Sequence, residues 1–324
     1  MNRRKFFHLT FGGVIGLSGL RPFQAAGRST DNPPSGKTLE KRPLGKTGEK
    51  LSIIGLGGLV LANETQDKAN QIVRDAIEAG VNYFDVAPSY GNAEDRMGPA
   101  LKPFRKNVFL ACKTLKRDRQ GAEEELANSL RKLETDHVDL YQLHALSKTE
   151  DVQQALGPRG ALETFRKARQ SGKIRFIGFS AHSQEAALQA MEQFDFDTVL
   201  FPFNFVCFLK ANFGPAVIKK AKEKQMGILA LKALARQPWP SEDLKKEWPK
   251  AWYQPLTDPV EFALGLRFTL SQPITAALPP GDARLFYPAL EAARSFTPLS
   301  TREEDDVRRL ASSLNPLFEL HPGS

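Results

Sequence analysis

From residue 51 onward the chain repeats one pattern. A short, nearly continuous apolar run ends on a small or polar residue, and an amphipathic stretch of helical spacing follows. The runs end at Gly55–Gly57, at Asp85, at Lys113 (NVFLACK), at His144 (VDLYQLH) and at Ser180 (IRFIGFS), and TVLFPFN, GILALKA and TAALP complete the series. Between them lie stretches such as DKANQIVRDAIEAG, AEEELANSLRKLET and SQEAALQAMEQF. Strands apolar on both faces, each followed by a helix, require a parallel sheet covered on both sides. Eight such units over about 280 residues suit a closed α/β barrel, the (β/α)8 or TIM-barrel fold. A doubly wound open sheet is the alternative, but no G-x-G-x-x-G follows the first strand. Ahead of the first unit, two short strands around Lys46-Thr47-Gly48 predict an N-terminal β-hairpin.

The first 26 residues read differently. Arg3-Arg4-Lys5-Phe6-Phe7, an apolar run from Leu9 to Leu20 and the small residues Ala25-Ala26-Gly27 form the three parts of an export signal of twin-arginine type. That apolar run has 12 residues, short of the roughly 20 that span a bilayer as a helix. The expected division is a signal peptide at 1–26, a polar linker at 27–38 and one barrel at 39–324. The expected location is the periplasm, reached through the twin-arginine machinery and with no transmembrane helix in the mature protein; an uncleaved anchor is the alternative. Half of the formal charge of +8 sits on Arg3, Arg4, Lys5 and Arg21, so the barrel itself gives no reason to expect nucleic acid. Cys112 and Cys207 have no metal-site spacing, and buried free thiols are expected. No metal is expected.

In a (β/α)8 barrel the site forms where the strands end. Asp85, Lys113 and His144 lie at the ends of three consecutive strands, and Tyr90 lies in the loop after Asp85. A tyrosine of ordinary pKa near 10 is a poor acid at neutral pH. A buried Lys113 ammonium beside Tyr90 is expected to lower that pKa, and Asp85 to keep Lys113 charged. His144 would orient a carbonyl. The set suits protonation of a carbonyl oxygen while a cofactor delivers hydride to its carbon.

The ordered runs RPLGKTG…LSIIGLGG, FDVAPSYGNAED, LACKT, VDLYQLHAL and GKIRFIGFSAHS resemble the aldo-keto reductase superfamily over about residues 39–314. The resemblance implies that Asp85, Tyr90, Lys113 and His144 form the catalytic tetrad, with Tyr90 the general acid. It further implies an NADP cofactor, with NAD as the alternative, and a small-molecule carbonyl substrate. Cofactor positions carried over are Gly57, Gly58, Ser180, His182, Leu231, Lys232, Gly281 and Arg284. The sequence departs from the family pattern at Ala181-His182, where Asn commonly follows the serine, and at Leu231, where an aromatic often stacks on the nicotinamide. Asp282 would oppose a phosphate at Arg284, and Pro288 is expected to interrupt the following helix. The long segment after the seventh strand carries Trp239, Trp248, Trp252 and Tyr253, which would either form a lid or cover an apolar flank. A nucleotide-binding sensor with little turnover is the competing function.

Overall fold

The computed structural model describes residues 38–320; the expected signal peptide and nearly all of the linker lie outside them. Among the described residues, eight parallel strands pair in chain order: β1 (Leu56–Gly57), β2 (Tyr83–Asp85), β3 (Phe109–Thr114), β4 (Val138–Leu146), β5 (Ile174–Ala181), β6 (Thr198–Pro202), β7 (Gly227–Leu231) and β8 (Ala276–Leu278). The ring closes through a parallel bridge between Ile54 and Ala277, with Gly55 N–H donating to the Ala277 carbonyl at 3.0 Å. The (β/α)8 barrel expected from the alternation is the fold.

Its interior follows from the period-2 alternation of strand side chains. Phe109 and Ala111 point inward with Tyr83, Leu140, Leu200 and Leu229, whereas Phe84, Leu110 and Cys112 pack in the layer between strands and helices. The same parity turns Asp85, Lys113 and Gln142 inward, one layer nearer the strand ends. The hairpin Lys41–Pro43/Lys50–Ser52 closes the opposite end of the barrel, with Leu44 and Leu51 joining the interior cluster. Both cysteines are free and buried.

The helices begin and stop where the residues dictate. Helix α1 (Gln66–Glu78) is capped by the Thr65 side chain, and Gly80 beyond its end takes φ 96°. The helix Pro259–Ser271 starts on Asp258, whose carboxylate accepts from Val260 and Glu261 N–H, and on a proline in its first turn. The helix Ala283–Arg294 runs through Pro288 without interruption. This corrects the expected break: burial of Leu285, Phe286, Ala289 and Leu290 on one face outweighs one lost backbone hydrogen bond.

Candidate active site

The mouth at the strand ends holds a cavity of about 230 Å3 lined by Gly57, Asp85, Tyr90, His144, Ser180, His182, Leu231, Lys232 and Gly281, with Lys250, Trp252 and Tyr253 across the top. Nine of the twelve positions read from the sequence therefore meet in one space. Lys113 stands just behind them. Gly58 and Arg284 do not line the cavity.

Asp85 and Lys113 form a buried ion pair in direct contact, with side chains 2% and 1% exposed. Asp85 also accepts from the Tyr83 hydroxyl and from Gln142 Nε2, each at 3.2 Å, and Lys113 donates to the Val86 carbonyl at 3.2 Å. Every partner of the Asp85 carboxylate is a donor. Burial pulls the Lys113 ammonium toward its neutral form, but Asp85 and Tyr90 more than reverse this, and its pKa lies above the ordinary value.

The Lys113 Nζ lies 5.1 Å from the centre of the Tyr90 ring, and the His144 ring meets Tyr90 edge-on at 5.7 Å between centroids. The expectation that Lys113 lowers the Tyr90 pKa is half met. Lys113 does pull it down, but burial of the phenol raises it by more, and the net shift is upward. The expectation left out what burial costs the phenolate. Tyr90 is consequently held as the protonated phenol.

Strand β4 is irregular around His144. Its pairing with β5 shifts register between Leu143 and Leu146, and Ala145 takes φ 56°, a left-handed conformation costing roughly 1 kcal/mol or more for a residue with a side chain. Two side chains hold this bulge. The Ser180 hydroxyl accepts from Ala145 N–H at 2.8 Å, and Arg117 donates to the His144 and Ala145 carbonyls at 2.8 and 3.3 Å. Burial brings the His144 pKa down to about 2, helped by Lys113, His182, Arg117 and Lys232, so its imidazole is neutral.

The segment after β7 crosses the mouth. Lys250 donates to Glu64 Oε1 at 2.8 Å and the Val60 carbonyl at 3.2 Å, fastening the crossing on the side of β1. Trp252 and Tyr253 line the cavity, Trp239 Nε1 donates to the Ala251 carbonyl at 2.9 Å, and Trp248 stacks under Arg284 at 4.0 Å. Of the two readings of these aromatics, the lid describes Trp252 and Tyr253, while Trp239 and Trp248 fix the crossing itself. Arg284 also donates to Asp282 Oδ2 at 2.8 Å and the Glu247 carbonyl at 2.8 Å. Its Nε and Nη2 are thus engaged by the protein, chiefly by the neighbouring carboxylate.

With this geometry in place, comparison with known proteins gives a consistent result. The sequence profile described as "Aldo/keto reductase family" matches residues 53–250. The chain belongs to the aldo/keto reductase family. This aldo/keto reductase is similar to the uncharacterized oxidoreductase YqkF of Bacillus subtilis, 32% identical over 157 residues, covering 44% of this chain and 49% of the relative. It is also similar to the aldo-keto reductase YhdN of Bacillus subtilis, 29% identical over 217 residues, covering 61% of this chain and 63% of the relative. The chain thus spans about half to two thirds of the length of these curated relatives. In fold it matches the holo form of aldo-keto reductase AKR11C1 from Bacillus halodurans with a TM-score of 0.67 at 22% identity, covering 86% of this chain and 98% of that one.

Tyr83, Gln142, Arg117 and Phe318 were not singled out in the sequence. Tyr83 and Gln142 were legible in principle, since period-2 parity puts them on the inner face with Asp85 and His144. Arg117 acts on backbone carbonyls of another strand, and Phe318 stacks on His182 from beyond the last helix (centroids 5.5 Å, 23° between planes). Neither carries a local signal. Among the described residues no cluster of three or more His, Cys, Asp or Glu side chains is arranged to hold a metal, and no helix is long and apolar enough to cross a membrane.

Proposed function

We propose that this aldo/keto reductase is an NAD(P)H-dependent oxidoreductase that interconverts the carbonyl of a small aldehyde, ketone or sugar with the corresponding alcohol, with Tyr90 as general acid. The observation that carries the reading is the buried Asp85–Lys113 pair set behind a protonated Tyr90 and a neutral His144 in one cavity. When bound, the nicotinamide supplies the hydride. The protein's part is to place the carbonyl oxygen against the Tyr90 hydroxyl and the His144 ring nitrogen, and to deliver the phenolic proton as charge develops on that oxygen. Lys113 stabilises the phenolate left behind, and Asp85 keeps Lys113 charged while that happens.

The mouth fits the nicotinamide end of a dinucleotide. At Gly57 nothing lies within 4 Å of where a side chain would begin, which leaves that wall open. At Gly281 the backbone passes so close to Leu59 that a Cβ would stand 2.4 Å from it, so glycine is required there to shape the rim. The fit to a 2′-phosphate is poorer. Arg284, held by Asp282, offers it no free guanidinium, and the argument for NADP over NAD loses its main residue. We further propose that residues 1–26 direct export, with the protein folding around its nucleotide before translocation. Recovery of nucleotide-free protein from the periplasm would end that idea.

The test is NAD(P)H consumption over a panel of aldehydes, ketones and sugars, comparing wild type with Tyr90→Phe. Turnover is expected to fall by about 10²–10⁴ with the melting temperature unchanged. A Tyr90→Phe enzyme as active as wild type would refute the assignment.

A further inference from the structure

We propose that Lys232 and His182 form an anion seat beneath an aromatic roof, which receives a carboxylate or phosphate group of the ligand entering the mouth. Lys232 ends β7 in a left-handed conformation (φ 65°) and is 7% exposed. Its Nζ lies 5.1 Å from the Trp252 ring centre and 5.7 Å from that of Phe318. Below the rings its hydrogen-bond partner is His182 Nε2 at 3.3 Å. Three N–H bonds therefore face one nitrogen acceptor and two ring faces.

The charge inventory of the cavity gives this arrangement its meaning. Asp85 is the one carboxylate among the described residues lining it, and Asp85 is saturated by Lys113, Tyr83 and Gln142. Lys250, the other lining ammonium, is neutralised by Glu64. Lys232 is left as a buried cation with no acid beside it, which a protein tolerates poorly unless a ligand brings the counter-charge. An incoming anion would accept from the Lys232 ammonium, which His182 holds in place by accepting at Nε2, while the ring faces of Trp252 and Phe318 screen the charge from water.

The groups facing Lys232 are His182 from the end of β5, His144 from β4, Cys207 from the helix Phe205–Lys210, Trp252 and Tyr253 from the crossing segment, and Phe318. Burial brings the Lys232 amine down to about 7, with only Cys207 acting in the opposite direction, and brings His182 down to about 3 through burial and the Lys232 charge. An anion in the seat would reverse the Lys232 shift, so binding is coupled to proton uptake. For an amine titrating near 7, the protonated fraction falls about tenfold between pH 6 and pH 8. The affinity of an anionic ligand is expected to fall by that factor.

The seat deepens the oxidoreductase reading but is testable without turnover. The probes are oxamate and inorganic phosphate for a substrate's anionic group, and NADH for the diphosphate of a dinucleotide. Each is titrated calorimetrically into the full-length protein at pH 6 and pH 8. Wild type is expected to bind at least one probe about tenfold more tightly at pH 6. Lys232→Met should abolish that binding while leaving the melting temperature at or above that of wild type. Lys232→Arg should retain binding and lose the pH dependence, because arginine stays charged. Oxamate or phosphate binding that depends on Lys232 assigns the seat to the substrate, and NADH binding that alone depends on it assigns the seat to the cofactor. If Lys232→Met binds all three probes as wild type does, or wild type binds none of them, the seat is refuted. Lys232-dependent oxamate binding in a protein that oxidises no NAD(P)H would leave the seat standing and overturn the oxidoreductase reading instead.

Discussion

Replacing Asp85 by asparagine tests the central pair most directly. The side chain keeps its size, but one oxygen becomes an NH2 group. All three partners of the native carboxylate, Lys113, the Tyr83 hydroxyl and Gln142 Nε2, are donors. The new amide must therefore point two hydrogens at at least one donor, while Lys113 loses its anionic partner and keeps only neutral acceptors, the remaining amide oxygen and the Val86 carbonyl at 3.2 Å. Leaving one partner of a buried ion pair uncompensated costs about 3–5 kcal/mol, which for a barrel of this size lowers the melting temperature by about 5–8 °C. Part of the cost is relieved if Lys113 deprotonates, since burial already pulls its pKa down and Asp85 is the main force against it. The double variant Asp85→Asn/Lys113→Met removes the stranded charge. It should recover about half of the loss, roughly 2 kcal/mol, while remaining inactive. Thermal melts and urea titrations of the wild type, both singles and the double provide the measurement. A single variant that loses less than 1 kcal/mol, or a double no more stable than Asp85→Asn, would show that the pair is not the buried, mutually dependent unit described above.

Three further outcomes follow from the same geometry. Tyr90 is held above its ordinary pKa and His144 down to about 2, whereas Lys232 sits near 7. Any inflection of kcat/KM between pH 6 and 8 should therefore vanish in Lys232→Met and survive in His144→Asn. Because the Lys232 amine has a lower pKa folded than unfolded, the unfolded chain binds more protons between about pH 7 and 10.5. Wild-type stability relative to Lys232→Met should accordingly rise with pH across that window, and melts at pH 6, 8 and 10 would detect the opposite slope. The third outcome concerns Arg284. Asp282→Asn weakens the carboxylate's hold on the guanidinium and should increase NADPH affinity relative to NADH by severalfold. An unchanged ratio would show that Arg284 has no part in reading the 2′-phosphate.

Much of this protein was legible residue by residue. Apolar runs ending in a polar residue, each followed by a helical pattern, determine a parallel sheet buried on both faces, and eight units without a dinucleotide fingerprint favour the closed barrel over the open sheet. Strand parity then turns Asp85, Lys113 and His144 inward at adjacent strand ends, so their meeting was written into the local pattern. What the sequence did not determine was the balance of forces once they met. Whether the Tyr90 phenol is pushed up by burial or down by Lys113 depends on how much water the fold excludes, and that is a property of the whole mouth. The fate of Arg284 was decided by the tertiary structure as well, through the Trp248 face brought against it from the crossing segment. The Lys232–His182 contact joins residues 50 positions apart under Phe318 from beyond the last helix. Such a contact has no local signature: chain periodicity sets which face a side chain takes, but only the packed structure sets which charges share a cavity and which are left without a partner.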